Sequence, residues 1–145
     1  MNWHDEPPRW RVDGDMLILT TAPKTDFWRA PDGTAIADNG HFRAQLVNGD
    51  IQAQVKLIGG YRDLYDQAGL MLRLDEANWL KCGIELYEGA QQASAVVTRN
   101  FSDWALASLP SKADRVGATV TSVTVERVPT LASGRSSGLL RARRR

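Results

Sequence analysis

The clearest pattern in the chain is a pair of alternating runs, Ala68 to Leu74 and Leu80 to Leu86, joined by the polar turn Asp75-Glu76-Ala77-Asn78 with Trp79 at its end. Apolar residues fall at Ala68, Leu70, Leu72 and Leu74, then at Leu80, Cys82, Ile84 and Leu86. A period of two predicts strands that bury one face. Pairing Leu74 with Leu80 sets Leu72 against Cys82 and Leu70 against Ile84, so both apolar sets share that face. The other face then carries Gln67, Gly69, Met71 and Arg73 beside Lys81, Gly83, Glu85 and Tyr87, with Arg73 opposite Lys81.

The same reading extends along the chain. Pro7-Pro8 excludes a helix from the turn-rich, aromatic start, and Asp13-Gly14 is a turn before Met16 to Thr21, a predicted short buried strand. Pro23 to Asp32 reads as an irregular segment whose Asp26-Phe27-Trp28-Arg29 packs back onto the core. Asn48-Gly49 between His41–Val47 and Asp50–Ile58 predicts a hairpin with Leu46 opposite Ile51, Ala44 opposite Ala53 and Phe42 opposite Val55. Glu88-Gly89 turns the chain into Ala93 to Arg99, where Val96 and Val97 compete for the inward position. Asn100 to Asp103 reads as a loop, followed by an apolar stretch from Trp104 to Leu109 and a stop at Pro110. No stretch of ten residues keeps a 3.6-residue apolar period, so the expected class is antiparallel all-β. Strands recurring every ten or so residues point to a two-sheet sandwich.

Composition narrows the picture. A chain of 145 residues with 43% hydrophobic and 24% charged residues fits one globular domain, and it lacks the apolar run of roughly 18 residues that a spanning helix needs. With no membrane segment and no secretory signal, a cytoplasmic address is expected. The charge is uneven. Residues 1–110 hold 10 Lys and Arg against 15 Asp and Glu, whereas the last 35 hold 8 against 2 and no aromatic residue. The sandwich is therefore placed in residues 1–110, with residues 111–128 available for a further strand and 129–145 as a flexible basic tail. The arginines at 141 and 143–145 lack interleaved aromatics, so no nucleic-acid partner is expected. Cys82 sits in an apolar alternation and reads as core; with two histidines beside it, no metal site and no cofactor are expected.

Five ordered motifs carry a family resemblance: DFWR at Asp26 to Arg29, DNGHF at Asp38 to Phe42, YDQAGLM at Tyr65 to Met71, NWLKCGIE at Asn78 to Glu85, and VVTRNFSDW at Val96 to Trp104. Over roughly residues 2–110 the chain resembles the family called domain of unknown function 1349, which is similar in fold to the concanavalin A-like lectins and glucanases and includes proteins described as regulators of enolase. The resemblance implies a jelly-roll sandwich with a concave face and supplies no activity. Members of the family continue through further aromatic-bearing strands after the SDW motif, which this chain lacks. The sandwich is thus expected to be incomplete at the C-terminus, through truncation, a frame shift or a lineage-specific tail.

The polar face of the central pair is the candidate site. Arg73, Lys81 and Glu85 would make polar contacts to a small polar ligand, Gln67 and Thr98 would add hydrogen bonds, and Trp79 with Tyr87 would supply apolar surface. Asp26, Trp28, Asp103 and Trp104 could contribute from loops. Gly69 and Gly83 leave a depression among larger side chains. Such a mixture suits a carbohydrate or a sugar phosphate. The alternative is a protein–protein regulatory module of carbohydrate metabolism. Glycoside hydrolysis needs two carboxyl groups on one face, and Glu85 and Glu88, three apart, lie on opposite faces, so an enzyme is the third reading. A Ser102-Asp103-His41 triad lacks a nucleophile elbow around Ser102.

Overall fold

The computed structural model describes residues 1–48, 51–109 and 119–125. It is antiparallel and all-β, as expected, with no helix among the described residues, an arrangement consistent with a sandwich. The twelve strands are β1 (Asn2–His4), β2 (Arg9–Asp13), β3 (Met16–Thr20), β4 (Phe27–Arg29), β5 (Ile36–Asp38), β6 (Phe42–Ala44), β7 (Ile51–Leu57), β8 (Gln67–Arg73), β9 (Asn78–Tyr87), β10 (Ala90–Arg99), β11 (Phe101–Ser108) and β12 (Thr119–Val125). Four of them form a meander in the order β11-β10-β9-β8; the others pair as β1-β6, β2-β3, β4-β5 and β7-β12. The basic tail lies outside the described residues.

Backbone hydrogen bonds fix the central hairpin. Leu74 N–H donates to Asn78 O and Leu86 N–H to Asp66 O, which sets Leu74 opposite Asn78 instead of Leu80. The slip of two residues keeps every side chain on its expected face. It places Gly69 opposite Gly83, Gln67 opposite Glu85 and Arg73 opposite Trp79, so Arg73 does not oppose Lys81. The tighter turn has a local cause: Asp75 Oδ1 accepts from Ala77 N–H and from Asn78 Nδ2. At Gly69 and Gly83 the main chains meet. A Cβ on Gly69 would lie 2.0 Å from Cys82 O, and one on Gly83 would lie 2.0 Å from Ala68 O.

Four further expectations are corrected. The Asn-Gly hairpin does not form between its flanking strands: β6 pairs with β1 through Trp3 and Arg43, and β7 pairs with β12 through Val55 and Thr121. Non-local partners outcompete the local turn. Met16 to Thr20 is a strand, joined to β2 through Gly14 in the left-handed region, but Met16, Leu17, Ile18 and Leu19 are 38–55% exposed. The stretches read as irregular around Phe27 and as a loop around Ser102 are both strands, with Asn100 alone, at a φ of 65°, turning β10 into β11.

By internal contacts the described chain divides into two compact units. The first comprises Met1–Leu46, Arg73–Trp79 and Val97–Asp103; the second comprises Val47–Leu72, Leu80–Val96 and Trp104 onward. In the first, Phe27 is buried and its ring meets those of His4, Phe42 and Trp79 at centroid distances of 5.5, 6.4 and 6.2 Å. In the second, Leu80, Ile84 and Val96 are buried, and Val96 instead of Val97 takes the inward position left open by the sequence.

Candidate functional site

The predicted ligand residues fall into both units, and each unit builds something different from its share. Arg73, Trp79, Thr98, Asp26, Trp28 and Asp103 belong to the first unit; Gln67, Lys81, Glu85, Tyr87 and Trp104 belong to the second.

In the first unit Arg73 is committed to Asp38, with Nη1 on Oδ1 at 2.5 Å and Nη2 on Oδ2 at 2.8 Å. This bidentate geometry matches a guanidinium fork to a carboxylate. Arg73 also lies 5.4 Å from the Phe27 ring centroid, and His4 Nε2 donates to Asp38 O. The Arg73 hydrogen bond holds the Asp38 carboxyl below the usual carboxylate range. Trp79 is 5% exposed against Phe27, and Thr98 is buried with its hydroxyl on Ser102 Oγ. Ser102 Oγ in turn accepts from Arg29 N–H, and Arg29 Nε donates to Asn100 O. His41 is spent likewise: Ala22 N–H donates to its Nε2, so Nδ1 carries the proton and donates to Asp5 O. Neither His41 nor Ser102 forms part of a triad. Asp26 N–H is held by Asn39 Oδ1, Trp28 is half-buried, and Asp103 is exposed.

In the second unit the parity of β9, β10 and β11 brings Glu85, Ser94 and Trp104 together. Glu85 is only 4% exposed. Its Oε2 accepts from Ser94 Oγ at 2.5 Å and from Trp104 Nε1 at 3.0 Å. Its Oε1 accepts nothing from the described residues and, unlike Trp3 Nε1 and Tyr61 Oη, is not an unpartnered atom sealed from solvent. No ion pair among the described residues reaches Glu85.

The Trp104 ring continues this cluster into an aromatic group. Its centroid lies 5.1 Å from that of Tyr87 and 6.1 Å from that of Tyr65, and the two tyrosines are 6.0 Å apart. Tyr65, like Ser94, is a residue that sequence reasoning missed. Tyr65 N–H donates to Leu86 O while Leu86 N–H donates to Asp66 O, so two residues face one in a β-bulge. Tyr65 has a φ of 71°, a left-handed conformation that glycine ordinarily fills and that strains a bulky side chain. Asp66 Oδ2 accepts the N–H groups of Arg62 and Asp63 and thereby clamps the loop that delivers Tyr65. Tyr65 remains 50% exposed. Gln67 Nε2 reaches Tyr65 O at 3.4 Å, and Lys81 lies on the same strand face as Glu85. The charge of Glu88 raises the Tyr87 phenol above its ordinary value.

Chemically, the cluster offers one carboxylate oxygen as an acceptor beside an exposed aromatic surface. No group of three or more His, Cys, Asp or Glu residues fit to hold a metal occurs among the described residues. Burial pushes the Cys82 thiol up to about 11, which leaves it a core side chain.

Residues 3–131 match the family described as "Protein of unknown function (DUF1349)". The chain is similar to "Regulation of enolase protein 1" of Saccharomyces cerevisiae (strain ATCC 204508 / S288c), with 40% identity over 105 residues, which are 72% of this chain and 53% of that protein. The chain thus spans about half the length of the curated relative it matches. It is also similar to the crystal structure of a functionally unknown protein from Saccharomyces cerevisiae, with a TM-score of 0.79 and 36% identity over 87% of this chain and 66% of that one.

Proposed function

The chain belongs to the DUF1349 family, and from that premise we propose that it is a non-catalytic binding module with a regulatory role, whose ligand is a small polar molecule of the carbohydrate class. The observation that carries the reading is Glu85: a buried carboxylate with two donors on Oε2, none on Oε1 among the described residues, and an exposed tyrosine in ring contact with the tryptophan that holds it. A sugar meets both halves of this arrangement, since a hydroxyl donates to the oxygen while a C–H face lies on the ring. Strain retained at an exposed aromatic is also a mark of a working site.

Thermal unfolding of the full chain with a panel of monosaccharides and sugar phosphates tests the proposal. A saturable rise in melting temperature with a panel member, absent in Tyr65→Ala, is the expected result. No rise with any member sinks it.

A second reading has its own support. The name of the yeast relative refers to the regulation of enolase, and the β2-β3 hairpin exposes Trp10, Val12, Met16, Leu17, Ile18 and Leu19. A protein partner would cover such a surface. Titrating enolase activity with the chain checks this reading, and unchanged activity without association dismisses it.

A further inference from the structure

The second unit leaves a charge unanswered. Glu85 is almost wholly withdrawn from water, and the groups that hold it, the Ser94 hydroxyl and the Trp104 indole, are neutral donors. Among the described residues no cation pairs with it. A carboxylate in such a place is stabilised far better by a positively charged donor than by a neutral one. The aromatic residues point the same way. Trp104 turns its N–H edge to Glu85, and the half-exposed Tyr65 ring packs against Trp104 at a centroid distance of 6.1 Å, where an aromatic face favours a cation over an anion.

We infer that the ligand of this site is an amino sugar, bound through its ammonium group to Glu85 Oε1 with its ring against Tyr65. This rests on the carbohydrate reading above and sharpens it, because it separates three sugar classes. A neutral sugar gives Oε1 a hydroxyl donor and leaves the charge in place. A sugar phosphate brings a second negative charge to a buried carboxylate. An amino sugar supplies donor and counter-charge in one group, and its non-polar ring face still meets the exposed tyrosine.

Three 2-amino-2-deoxyhexoses (the gluco, galacto and manno forms) are each titrated into the full chain beside the parent hexose, the N-acetyl derivative and the 6-phosphate, with methylammonium as the charge without the ring. At neutral pH at least one amino sugar is expected to bind about tenfold more tightly than its parent and its N-acetyl derivative, the usual gain when a neutral hydrogen bond to a charged group becomes a charge-paired one. Methylammonium alone should not saturate. Raising the pH until the sugar amine loses its proton should remove the advantage in the unaltered protein, which keeps the test independent of whether a Glu85 variant folds. Where Glu85→Gln does fold, amino sugar and parent should bind alike.

If the parent, N-acetyl or phosphorylated sugars bind as tightly as the amino sugars, the inference falls while the carbohydrate reading stands. The inference also falls if the advantage persists above the amine's titration. If no sugar of any class binds the folded chain, both fall together.

Discussion

Asp38 and Glu85 are carboxylates drawn in from solvent on two different units, and their surroundings differ in kind. Arg73 meets Asp38 with two parallel hydrogen bonds, and His4 supports the same residue at its carbonyl. Glu85 has two neutral donors on one oxygen and, among the described residues, none on the other. The aromatic groups divide the same way. Phe27 and Trp79 are buried together, whereas Tyr65 is half exposed and held in a left-handed conformation. A satisfied charge among buried rings is architecture. A carboxylate that meets no cation among the described residues, near an exposed and strained ring, is the arrangement on which the proposed site rests.

The contrast can be broken by experiment. Arg73→Ala should have the largest effect, because it strips Asp38 of its partner and exposes a gap against Phe27. A loss of about 2–3 kcal/mol in chemical denaturation is expected, below the range for a fully buried pair since Asp38 is partly solvated. If the loss is under about 0.5 kcal/mol, the pair is a surface ornament and the comparison fails.

Acid should act through the same pair. The folded carboxyl of Asp38 titrates below its unfolded value, so its contribution is complete above the ordinary carboxylate range and is lost as pH falls through the lowered folded value. Asp32 and Asp75 are also held low by hydrogen bonds within their turns and add to the slope. Melting temperature followed from neutral pH downward should therefore fall less steeply in Asp38→Asn than in the parent chain. An identical slope would remove Asp38 from the account.

Glu85→Gln should cost about 1 kcal/mol or less, since an amide oxygen still accepts from Ser94 and Trp104. A loss as large as that of Arg73→Ala would mean that Glu85 is architectural too. Smallest is Tyr65→Gly, where relief of the left-handed strain, about 1 kcal/mol, offsets the lost ring contacts. Stability near that of the parent, together with abolished ligand response, is the expected pair of results. Marked destabilisation would show that Tyr65 is there to hold the fold.

The sequence disclosed faces more reliably than partners. Alternation in β8 and β9 follows from the pleat, so Gln67, Lys81, Glu85 and Tyr87 could be assigned to one side without coordinates. The register slipped by two because a side chain, Asp75, closes the turn early, and such closure is invisible to a hydrophobic pattern. The Asn48-Gly49 signal failed because a strand's partner is chosen by the whole chain: β1 and β12 claimed the two arms. Ser94 was missed because two adjacent valines left the parity of β10 open. Once Val96 is known to lie on the side of the sheet that carries Glu85, Ser94 falls on that side two residues earlier. Tyr65 gave no periodic signal at all, since it sits in a bulge at the edge of its strand. The commitments of Arg73 and Trp79 depend on Asp38 and Phe27, which are distant in sequence, and that of Thr98 depends on Ser102, which lies across the single-residue turn at Asn100 that the pattern read as a loop.

The contact of Gly69 with Gly83 bears on how such a chain can change over generations. A side chain gained at either position collides with the other strand's main chain, at Cys82 O or Ala68 O. No second mutation can trim a carbonyl, so the usual path of a damaging change followed by a compensating neighbour is closed. The two positions form a fixed point for sequence drift, at which only glycine lets the main chains of β8 and β9 meet.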